Sequence, residues 1–436
     1  MKLNKSPYRG TRDFFPEEKR IRDYLFSVMT KTAESFSYES YDGPLLEEIE
    51  LYKAKSGEEL INEQIYSFTD RGERIVAIRP EMTPTLARMV SQIHKEASKP
   101  LRWFSIPNVL RYERPQKGRV REHWQLNCDL FGAPEKQGEI EILQLVIELL
   151  NNYGANESHF EILINDRVIV DLVFNTLMNC TQEQTYKLYK IVDKAKKISD
   201  EALRKMVSEV QLNSISENIF YSYLQLSSIQ NVIDFLNSNN QSNLADKFNH
   251  FFKICEEVEI FKYLKFDPTI VRGLDYYTGI VFEVFDKHPD NKRALCGGGA
   301  YANLLQIFGE TPLSGVGFGL GDVTLKDFLE VHNLLPSFKY ANHDILLTSQ
   351  EENGITQLQL LGKALRKNNF STMMNLESIK TKKAFQLAEK KNINFIITRS
   401  IEEIENNEIQ IKNLKMQTFK VFKINEIQNI IQFIKE

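Results

Sequence analysis

Residues 102–132 read RWFSIPNVLRYERPQKGRVREHWQLNCDLFG, and this stretch decides the fold because it describes two strands joined by a charged loop. RWFSIPNVLRYE and REHWQLNCDLFG have strand-forming composition, and PQKGRV between them is typical of a turn. Side chains two positions apart in a strand lie on one face. We therefore expect an antiparallel hairpin with Arg111 and Glu113 on one face and the loop arginines folded over the same face.

The loop is strongly cationic, although the net charge of the whole chain is −4. Within eleven positions lie Arg111, Arg114, Lys117, Arg119 and Arg121. A solvated hairpin would also be charged, but solvated faces normally mix both signs, and Glu113 is the single acid among these cations. Planar guanidinium groups suit phosphate and carboxylate oxygens. The pattern favours a site for a polyphosphate or a nucleic acid over a merely solvated face.

Length and composition limit the class of protein. A chain of 436 residues with 42% hydrophobic and 26% charged residues is typical of a globular protein with roughly two to three domains. No apolar run approaches the ~18 residues of a membrane span, and the charged start MKLNKSPYRGTRD does not resemble a signal peptide. The cysteines are widely spaced, so no zinc site or disulfide framework is predicted. We expect a cytoplasmic protein with no membrane partner and no protein-held metal.

The hydrophobic pattern changes along the chain and predicts four segments. Residues 1–165 and 261–335 share strand and glycine chemistry and are interpreted as two parts of one domain. Residues 166–260 carry helical spacing with almost no glycine, which predicts a helical insertion. In residues 337–436 the short strands DILLT, STMMNL and FIITR alternate with helices, which indicates a small mixed or parallel sheet.

Two further stretches place charged residues at the start of a predicted helix or strand. IRPEMTPTLARMV, residues 78–90, sets Glu81 and Thr83 at a predicted helix start, although an acidic first turn is also typical of an ordinary helix. VRGLDYYTGIVFEV, residues 271–284, places Arg272 at the head of an apolar strand, where it needs an anionic partner. Tyr276 or Tyr277 taken singly is more typical of a core than of a pocket.

Two glycine-rich runs lack the spacing of known nucleotide loops. LCGGGAYANLL has no Gly-Lys-Ser/Thr ending, and GVGFGLGDV does not have the dinucleotide-binding spacing. Glycines also remove side chains where a flat ligand lies against the backbone. That is the interpretation we favour for both runs.

Taken in order, these stretches closely resemble the histidyl-tRNA synthetase family of class II aminoacyl-tRNA synthetases. YRGTRDFFP is similar to the family's amino-terminal signature, SFSYESYDGPLLEEIELY to motif 1 with Pro44, and RYERPQKGRVREHWQLNCDLFG to motif 2. VRGLDYYTG and CGGGAY resemble the two histidine-specific elements. The resemblance implies an α+β class II catalytic domain with an antiparallel sheet flanked by helices, a helical insertion and a C-terminal α/β anticodon-binding domain, assembled as a homodimer.

The resemblance also implies roles for individual residues. Arg111 and Arg272 would be catalytic and lie against the α-phosphate of ATP. L-histidine would be bound by Glu81, Thr83, Arg111, Gln125, Asp129, Arg272, Tyr276, Tyr277 and Tyr301. ATP would be bound by Arg111, Glu113, Arg119 and Arg121, together with Mg²⁺. Histidine tRNA would meet Gln116 with its acceptor end, and Lys380, Lys382, Lys383, Lys390 and Lys391 are candidate tRNA contacts, although such lysines are more often only solvated.

One departure from the family pattern leaves a question open. Motif 3 usually ends Gly-x-Gly-acidic-Arg, with the arginine on the γ-phosphate, but here GLG is followed by Asp322, Val323 and Thr324. Another cation, Lys117 or Arg121, could hold that phosphate, ATP could be bound less tightly, or catalysis could have been lost; we favour the first. The alternative is a catalytically silent relative, the synthetase-like regulatory subunit of ATP phosphoribosyltransferase, which lacks the last domain. We favour the enzyme because residues 337–436 supply the last domain that the regulatory subunit lacks.

Overall fold

A computed structural model describes residues 3–54, 60–271, 277–338 and 343–435. The chain divides into two compact units. The first comprises Met1–Phe14 and Arg22–Leu335, and the second comprises Phe15–Ile21 and Pro336–Glu436. Within the described parts of the chain, every helix is too short or too polar to cross a lipid bilayer.

Strands and helices of the first unit occur in runs, with the longest series of helices between β8 and β9. The strands up to residue 335 are β1 (Glu39–Ser40), β2 (Leu46–Glu48), β3 (Tyr66–Thr69), β4 (Ile75–Ile78), β5 (Leu101–Ser105), β6 (Asn108–Leu110), β7 (Glu122–Phe131), β8 (Phe160–Asp166), β9 (Leu264–Phe266), β10 (Ile280–Asp286), β11 (Ala294–Tyr301) and β12 (Gly315–Gly321). The helices up to residue 335 are α1 (Pro16–Ser35), α2 (Ile49–Lys53), α3 (Thr83–Ile93), α4 (Gln137–Asn152), α5 (Arg167–Asp171), α6 (Gln182–Lys194), α7 (Asp200–Ser208), α8 (Ser214–Leu224), α9 (Ile229–Ser238), α10 (Ser242–Glu257) and α11 (Asp322–Val331).

The central sheet has the strand order β1-β5-β7-β12-β11-β10-β8-β9, and β6 pairs with β7. From β5 to β8 all neighbours are antiparallel, as the resemblance implies. The two outermost pairs, β1 with β5 and β8 with β9, are parallel. β2, β4 and β3 form a separate sheet in that order.

The hairpin predicted from residues 102–132 is present, but its first strand is interrupted. β5 ends at Ser105 and the short β6 pairs with β7 through Asn108–Leu110. Pro107 lies between them, and proline cannot donate to a strand ladder. The expected strand to Glu113 therefore ends at Leu110, and the charged stretch leaves the sheet as a loop closed by a bridge between Gln116 and Arg119.

The two faces of the central sheet are covered differently. On one face, Leu126, Cys128 and Leu130 of β7 are buried in the main core with α4, α11 and the helices that follow β8. On the opposite face, Leu86 and Val90 of α3 pack with aromatic side chains in a smaller cluster. That cluster covers only part of the second face, and the rest borders a cleft.

The segment predicted as an insertion is helical. Residues between β8 and β9 form α5 to α10 with short π and 3-10 turns, and the chain returns to pair β9 beside β8. Thr181 and Gln184 form a capping box that begins α6. These helices belong to the first compact unit, and the division of that unit into separate domains stays a prediction.

The second unit contains a mixed sheet of the order β14-β13-β15-β16-β17. Its strands are β13 (Ile345–Ser349), β14 (Thr372–Met374), β15 (Phe395–Arg399), β16 (Glu408–Asn413) and β17 (Thr418–Lys423), and its helices are α12 (Glu352–Lys367), α13 (Thr381–Lys391), α14 (Ile401–Glu405) and α15 (Ile427–Lys435). The predicted strands DILLT, STMMNL and FIITR are mutually parallel. β16 and β17 form an antiparallel hairpin that was not predicted from the sequence.

Candidate active site

The floor of the cleft is built from one polar strand and one glycine strand. Gln125, Asn127 and Asp129 of β7 pair in register with Gly321, Gly319 and Gly317 of β12. A Cβ on Gly317 would overlap the Asp129 carboxylate, and a Cβ on Gly319 would overlap the Gln125 amide. The glycines therefore leave room for the polar side chains of β7, which lie across the neighbouring strand. A flat ligand on this floor stays a prediction.

A cleft of about 710 Å³ opens above this floor. Of the predicted site residues that the structure describes, its lining includes Glu81, Thr83, Arg111, Glu113, Arg119, Gln125, Asp129, Tyr277 and Tyr301. They come from the start of α3, the charged loop, β7 and β11, which are far apart in sequence. The fold thus brings most of the predicted site residues to one place.

Asp129 is the most buried acid in this lining. The residue is 4% exposed, and the Tyr301 hydroxyl donates a hydrogen bond to Oδ1. Burial raises the pKa of the Asp129 carboxyl to about 7, and the hydrogen bond from Tyr301 opposes that rise. The ring of Tyr277 lies over Gly299, since a Cβ there would be 2.8 Å from the ring. These groups form a polar pocket whose acid titrates near neutral pH.

Arg111 is tied to the segment that carries Glu81. Its Nε donates to the Pro80 carbonyl at 2.9 Å, and the Leu110 amide donates to the Arg79 carbonyl at 3.1 Å. Arg79 is buried, and its guanidinium donates to the Asn108 carbonyl at 2.8 Å. The motif IRPEMT is therefore held against β6, which positions Glu81 beside Arg111.

The charged loop distributes its arginines in two directions. Arg119 makes a bidentate ion pair with Glu113 inside the cleft. Arg121 donates to the Tyr8 hydroxyl at 2.7 Å, and its guanidinium lies 4.1 Å from the ring centre of Tyr112, outside the cleft lining. The expected placement of the loop arginines over one face therefore holds for Arg119 and not for Arg121, because aromatic rings of the amino-terminal region and the loop bind its guanidinium instead.

The remaining predicted residues fall outside the lining or outside the described chain. Gln116 is exposed at the tip of the loop, where its backbone exchanges hydrogen bonds with Arg119. Arg272 and Tyr276 lie outside the described residues. Lys117 is exposed and does not line the cleft.

At the motif 3 position, an uncharged valine follows Asp322 at the start of α11. Val323 lines the cleft where the family has arginine. Asp322 is buried, pairs with Arg12 at 2.8 Å and accepts a hydrogen bond from the Trp124 amide at 3.0 Å. Burial raises the pKa of Asp322, and the Arg12 guanidinium acts against that rise. The acid of this motif thus anchors the amino-terminal segment to the start of α11.

The structure adds residues that the sequence analysis did not select. The cleft is also lined by His123, Asn127, Glu283, Lys292 and Arg293, and by Asp193 and Lys197 of the helical segment. Burial, with Arg111 and Arg12 nearby, lowers the pKa of His123 to about 3, so its ring is neutral at physiological pH. Asn127 could have been found from the period-two spacing Gln125-Asn127-Asp129, whereas no sequence signal links the loop before β11 to this cleft.

Comparison with known proteins identifies the family. The family model of histidyl-tRNA synthetase matches residues 10–323, and that of an anticodon-binding domain matches residues 345–435. A histidine–tRNA ligase of Leptospira biflexa is 41% identical over 435 residues, covering 100% of this chain and 98% of the relative. A histidine–tRNA ligase of Thermoplasma volcanium is 33% identical over 420 residues, covering 96% of each.

A solved structure agrees at the level of the fold. The crystal structure of histidyl-tRNA synthetase from Nostoc sp. PCC 7120 matches with a TM-score of 0.79 at 21% identity, covering 100% of this chain and 99% of that chain. Together with the family model and the full-length relatives, these matches establish that the chain belongs to the histidyl-tRNA synthetase family.

Proposed function

We propose that the chain activates L-histidine with ATP and transfers it, through histidyl-adenylate, to the 3′ end of histidine tRNA. Histidine–tRNA ligases are 33–41% identical to it over nearly its full length. The observation that carries the proposal is the cleft itself. Its lining combines the buried Asp129–Tyr301 pair with arginines, and glycines of β12 form part of its floor. Such a floor accepts a flat nucleotide and a small polar ring.

The reaction needs no protein nucleophile. An oxygen of the histidine carboxylate, already ionised at neutral pH, attacks the α-phosphorus of ATP, and the bond to the β-phosphate oxygen breaks to release pyrophosphate. The terminal ribose hydroxyl of tRNA then attacks the carbonyl carbon, the bond from that carbon to the phosphate oxygen breaks, AMP leaves and the hydroxyl proton is released to solvent. The protein contributes placement and compensation of negative charge. Arg111 lines the cleft and would perform this task, and the same task is expected of Arg272 from the resemblance alone.

Magnesium would enter the cleft with the nucleotide. Among the described residues, no group of histidine, cysteine and carboxylate side chains is arranged to hold a metal ion. Mg²⁺ often takes most of its ligands from substrate phosphates and water. Its contribution would be to reduce the charge of the phosphates, and residues such as Arg111 would bind the remaining charge.

Recognition of the amino acid follows from the polar pocket. Asp129 and Tyr277 would bind the two imidazole nitrogens, and Tyr301 fixes the orientation of the carboxylate through its hydroxyl. An apolar analogue would leave these buried groups without partners, and a site of this kind can reject such an analogue by a factor of about 10⁴. Glu81 and Thr83 would bind the α-amino group, with Gln125 completing that polar shell.

Binding of the nucleotide would exchange one ion pair for others. Glu113 is expected at the adenine amino group and Arg119 at a phosphate, yet the two side chains bind each other in the structure. We propose that ATP separates them, and that each then takes its own part of the nucleotide. The neutral ring of His123 also lines this part of the cleft.

The second unit would bind the tRNA, with Gln116 of the charged loop meeting the acceptor end. Replacing Lys382 and Lys383 of α13 by alanine should lower the affinity for histidine tRNA and its salt dependence, while pyrophosphate exchange stays unchanged. Nitrocellulose filter binding at two salt concentrations measures this. Lys363 and Lys367 of α12 supply a matched double-alanine control, and an equal effect of both pairs would contradict a specific role of α13.

We also propose a cytoplasmic homodimer. Large apolar side chains are exposed around the sheet β2-β4-β3 and the end of α3: Leu45, Leu46, Phe68, Ile75 and Ile93. Exposed apolar side chains that cluster on one part of a surface often mark a protein–protein interface. Light scattering should give twice the mass of the 50.7 kDa chain, and replacing Leu46 by glutamate should yield a monomer. A monomeric parent protein would refute the proposal.

Histidine-dependent exchange of pyrophosphate into ATP tests the main proposal. We expect exchange with L-histidine and none with other amino acids. The second candidate, a silent regulatory subunit, is favoured only by Val323 at the motif 3 position. The anticodon-binding match over residues 345–435 argues against it. No exchange by the folded parent protein would reverse this choice.

A further inference from the structure

The guanidinium groups that line the cleft differ in what they already bind. Among the residues that the structure describes, they belong to Arg111, Arg119 and Arg293. Arg119 is paired with Glu113, and Arg111 donates Nε to the Pro80 carbonyl. Within the same described ranges Arg293 makes no ion pair and is exposed to solvent. Its full charge is therefore accessible to an anion in the cleft.

Arg293 lies against the charged loop. It immediately precedes β11, and its side chain packs on Gly118, where an added Cβ would be 3.2 Å from Arg293 Cδ. Gly118 has a φ of +71°, a left-handed conformation that glycine adopts easily, so the loop turns sharply here and leaves room for the arginine. The guanidinium thus stands where the loop meets the start of β11.

This place adjoins the motif 3 position. The Thr324 hydroxyl donates to the Leu295 carbonyl at 3.1 Å, which joins the first turn of α11 to β11 two residues beyond Arg293. Val323 lines the cleft beside this junction and carries no charge. Arg12, a nearby cation, is already paired with Asp322. A polyphosphate extending towards Val323 would meet Arg293 and the adjacent Lys292, which also lines the cleft.

We propose that Arg293 binds the β- and γ-phosphates of ATP, and the pyrophosphate product, in place of an arginine at position 323. This inference rests on the proposed function. It predicts that a cation from the loop before β11, rather than Lys117 or Arg121, compensates the terminal phosphates. Arg293 is a phosphate-binding residue in this account, and Lys292 adds charge beside it.

Kinetics of the exchange reaction test the assignment. Arg293→Ala should raise the KM values for ATP and pyrophosphate roughly tenfold or more, as expected for the loss of a hydrogen bond between charged groups. The KM for histidine should change little. Affinity for a non-hydrolysable histidyl-adenylate analogue, which lacks both terminal phosphates, should also stay within about twofold of the parent value. Lys287→Ala removes a charge from the same loop outside the cleft lining and should leave all four constants unchanged.

Two further variants separate phosphate binding from a structural role. Asp327 also lies near Gly118, with Oδ2 3.8 Å from the same added Cβ. If Arg293 only supports the loop through this acid, Asp327→Asn will reproduce the effect and the analogue will bind more weakly. If Arg293 binds phosphate, adding Val323→Arg to Arg293→Ala should restore a substantial part of the ATP affinity.

The outcomes also distinguish this inference from the proposed function. Unchanged constants for ATP and pyrophosphate in Arg293→Ala would overturn the inference while leaving the enzymatic activity established. Calorimetric titration of the parent protein and Arg293→Ala with Mg·ATP measures phosphate binding without catalysis. Equal affinities there would overturn the inference, whether or not the parent protein exchanges pyrophosphate.

Discussion

Replacing Asp129 by asparagine should make the protein more stable and less active at the same time. Burial raises the pKa of this carboxyl from its ordinary 3.8 to about 7. Each pKa unit corresponds to about 1.36 kcal/mol, so keeping the carboxylate ionised in the folded protein costs about 4 kcal/mol. Asparagine has nearly the same shape, still accepts the hydrogen bond of Tyr301 and carries no such cost.

The sign of the pH dependence follows from which state holds the proton. Between pH 4 and pH 7 the folded protein keeps the Asp129 proton that the unfolded chain has lost, so the stability contributed by this group is present below pH 4 and is lost as the pH rises through about 7. The advantage of Asp129→Asn should therefore be small near pH 4 and reach about 4 kcal/mol above pH 7. Urea unfolding midpoints at several pH values measure it.

Asp166 supplies a matched control for this experiment. It is similarly buried but pairs with Lys136 at 2.9 Å, so Asp166→Asn leaves a lysine charge without its partner and should destabilise the protein by about 3 kcal/mol. The KM for histidine should rise at least roughly tenfold in Asp129→Asn, because a charged acceptor is lost. A stability difference that does not change with pH would refute the assignment of a buried, neutral-range carboxyl.

The glycine floor and the amino-terminal anchor give two more tests. Gly319→Ala should displace the Gln125 amide and raise the KM for histidine without unfolding the protein, whereas Gly321→Ala, whose Cβ meets only contacts of 3.7 Å or more, should be nearly neutral in the same exchange assay. Arg12→Met should lower the free energy of unfolding by about 3 kcal/mol, because the Asp322 carboxylate stays buried without its partner. Urea denaturation measures this, and recovery in the double variant with Asp322→Asn is the expected control.

Local patterns in the sequence predicted the elements but not every partner. The strand-forming composition of REHWQLNCDLFG was sufficient to place β7, and the helical spacing of residues 166–260 was sufficient to predict helices there. The parallel pairing of β9 with β8 was not predicted, because a strand of three residues at the end of a long helical segment has no periodicity to recognise. The hairpin of β16 and β17 was missed although EIQIKN alternates clearly.

The cluster of cationic residues predicted an anion site, but it did not predict which group each guanidinium binds in the fold. The cluster between Arg111 and Arg121 indicated an anion, and Arg111 and Arg119 do line the cleft. Arg121 binds Tyr8 and Tyr112 instead, and Arg119 is paired with Glu113. A guanidinium binds whichever carboxylate or aromatic ring the fold brings close, and sequence spacing does not contain that information beyond the loop itself.

The strand GVGFGLG shows how one sequence can satisfy the fold and the site together. Its glycines cost roughly 0.5–1 kcal/mol each relative to alanine in a strand, about 1.5–3 kcal/mol for Gly317, Gly319 and Gly321, which line the cleft. On the opposite face Val316, Phe318 and Leu320 are buried in the main core, and burying such side chains contributes about 1.5–3 kcal/mol each. Burial on one face therefore exceeds the loss on the other. β12 can therefore lack side chains on its cleft face, because the residues that alternate with its glycines are buried in the main core.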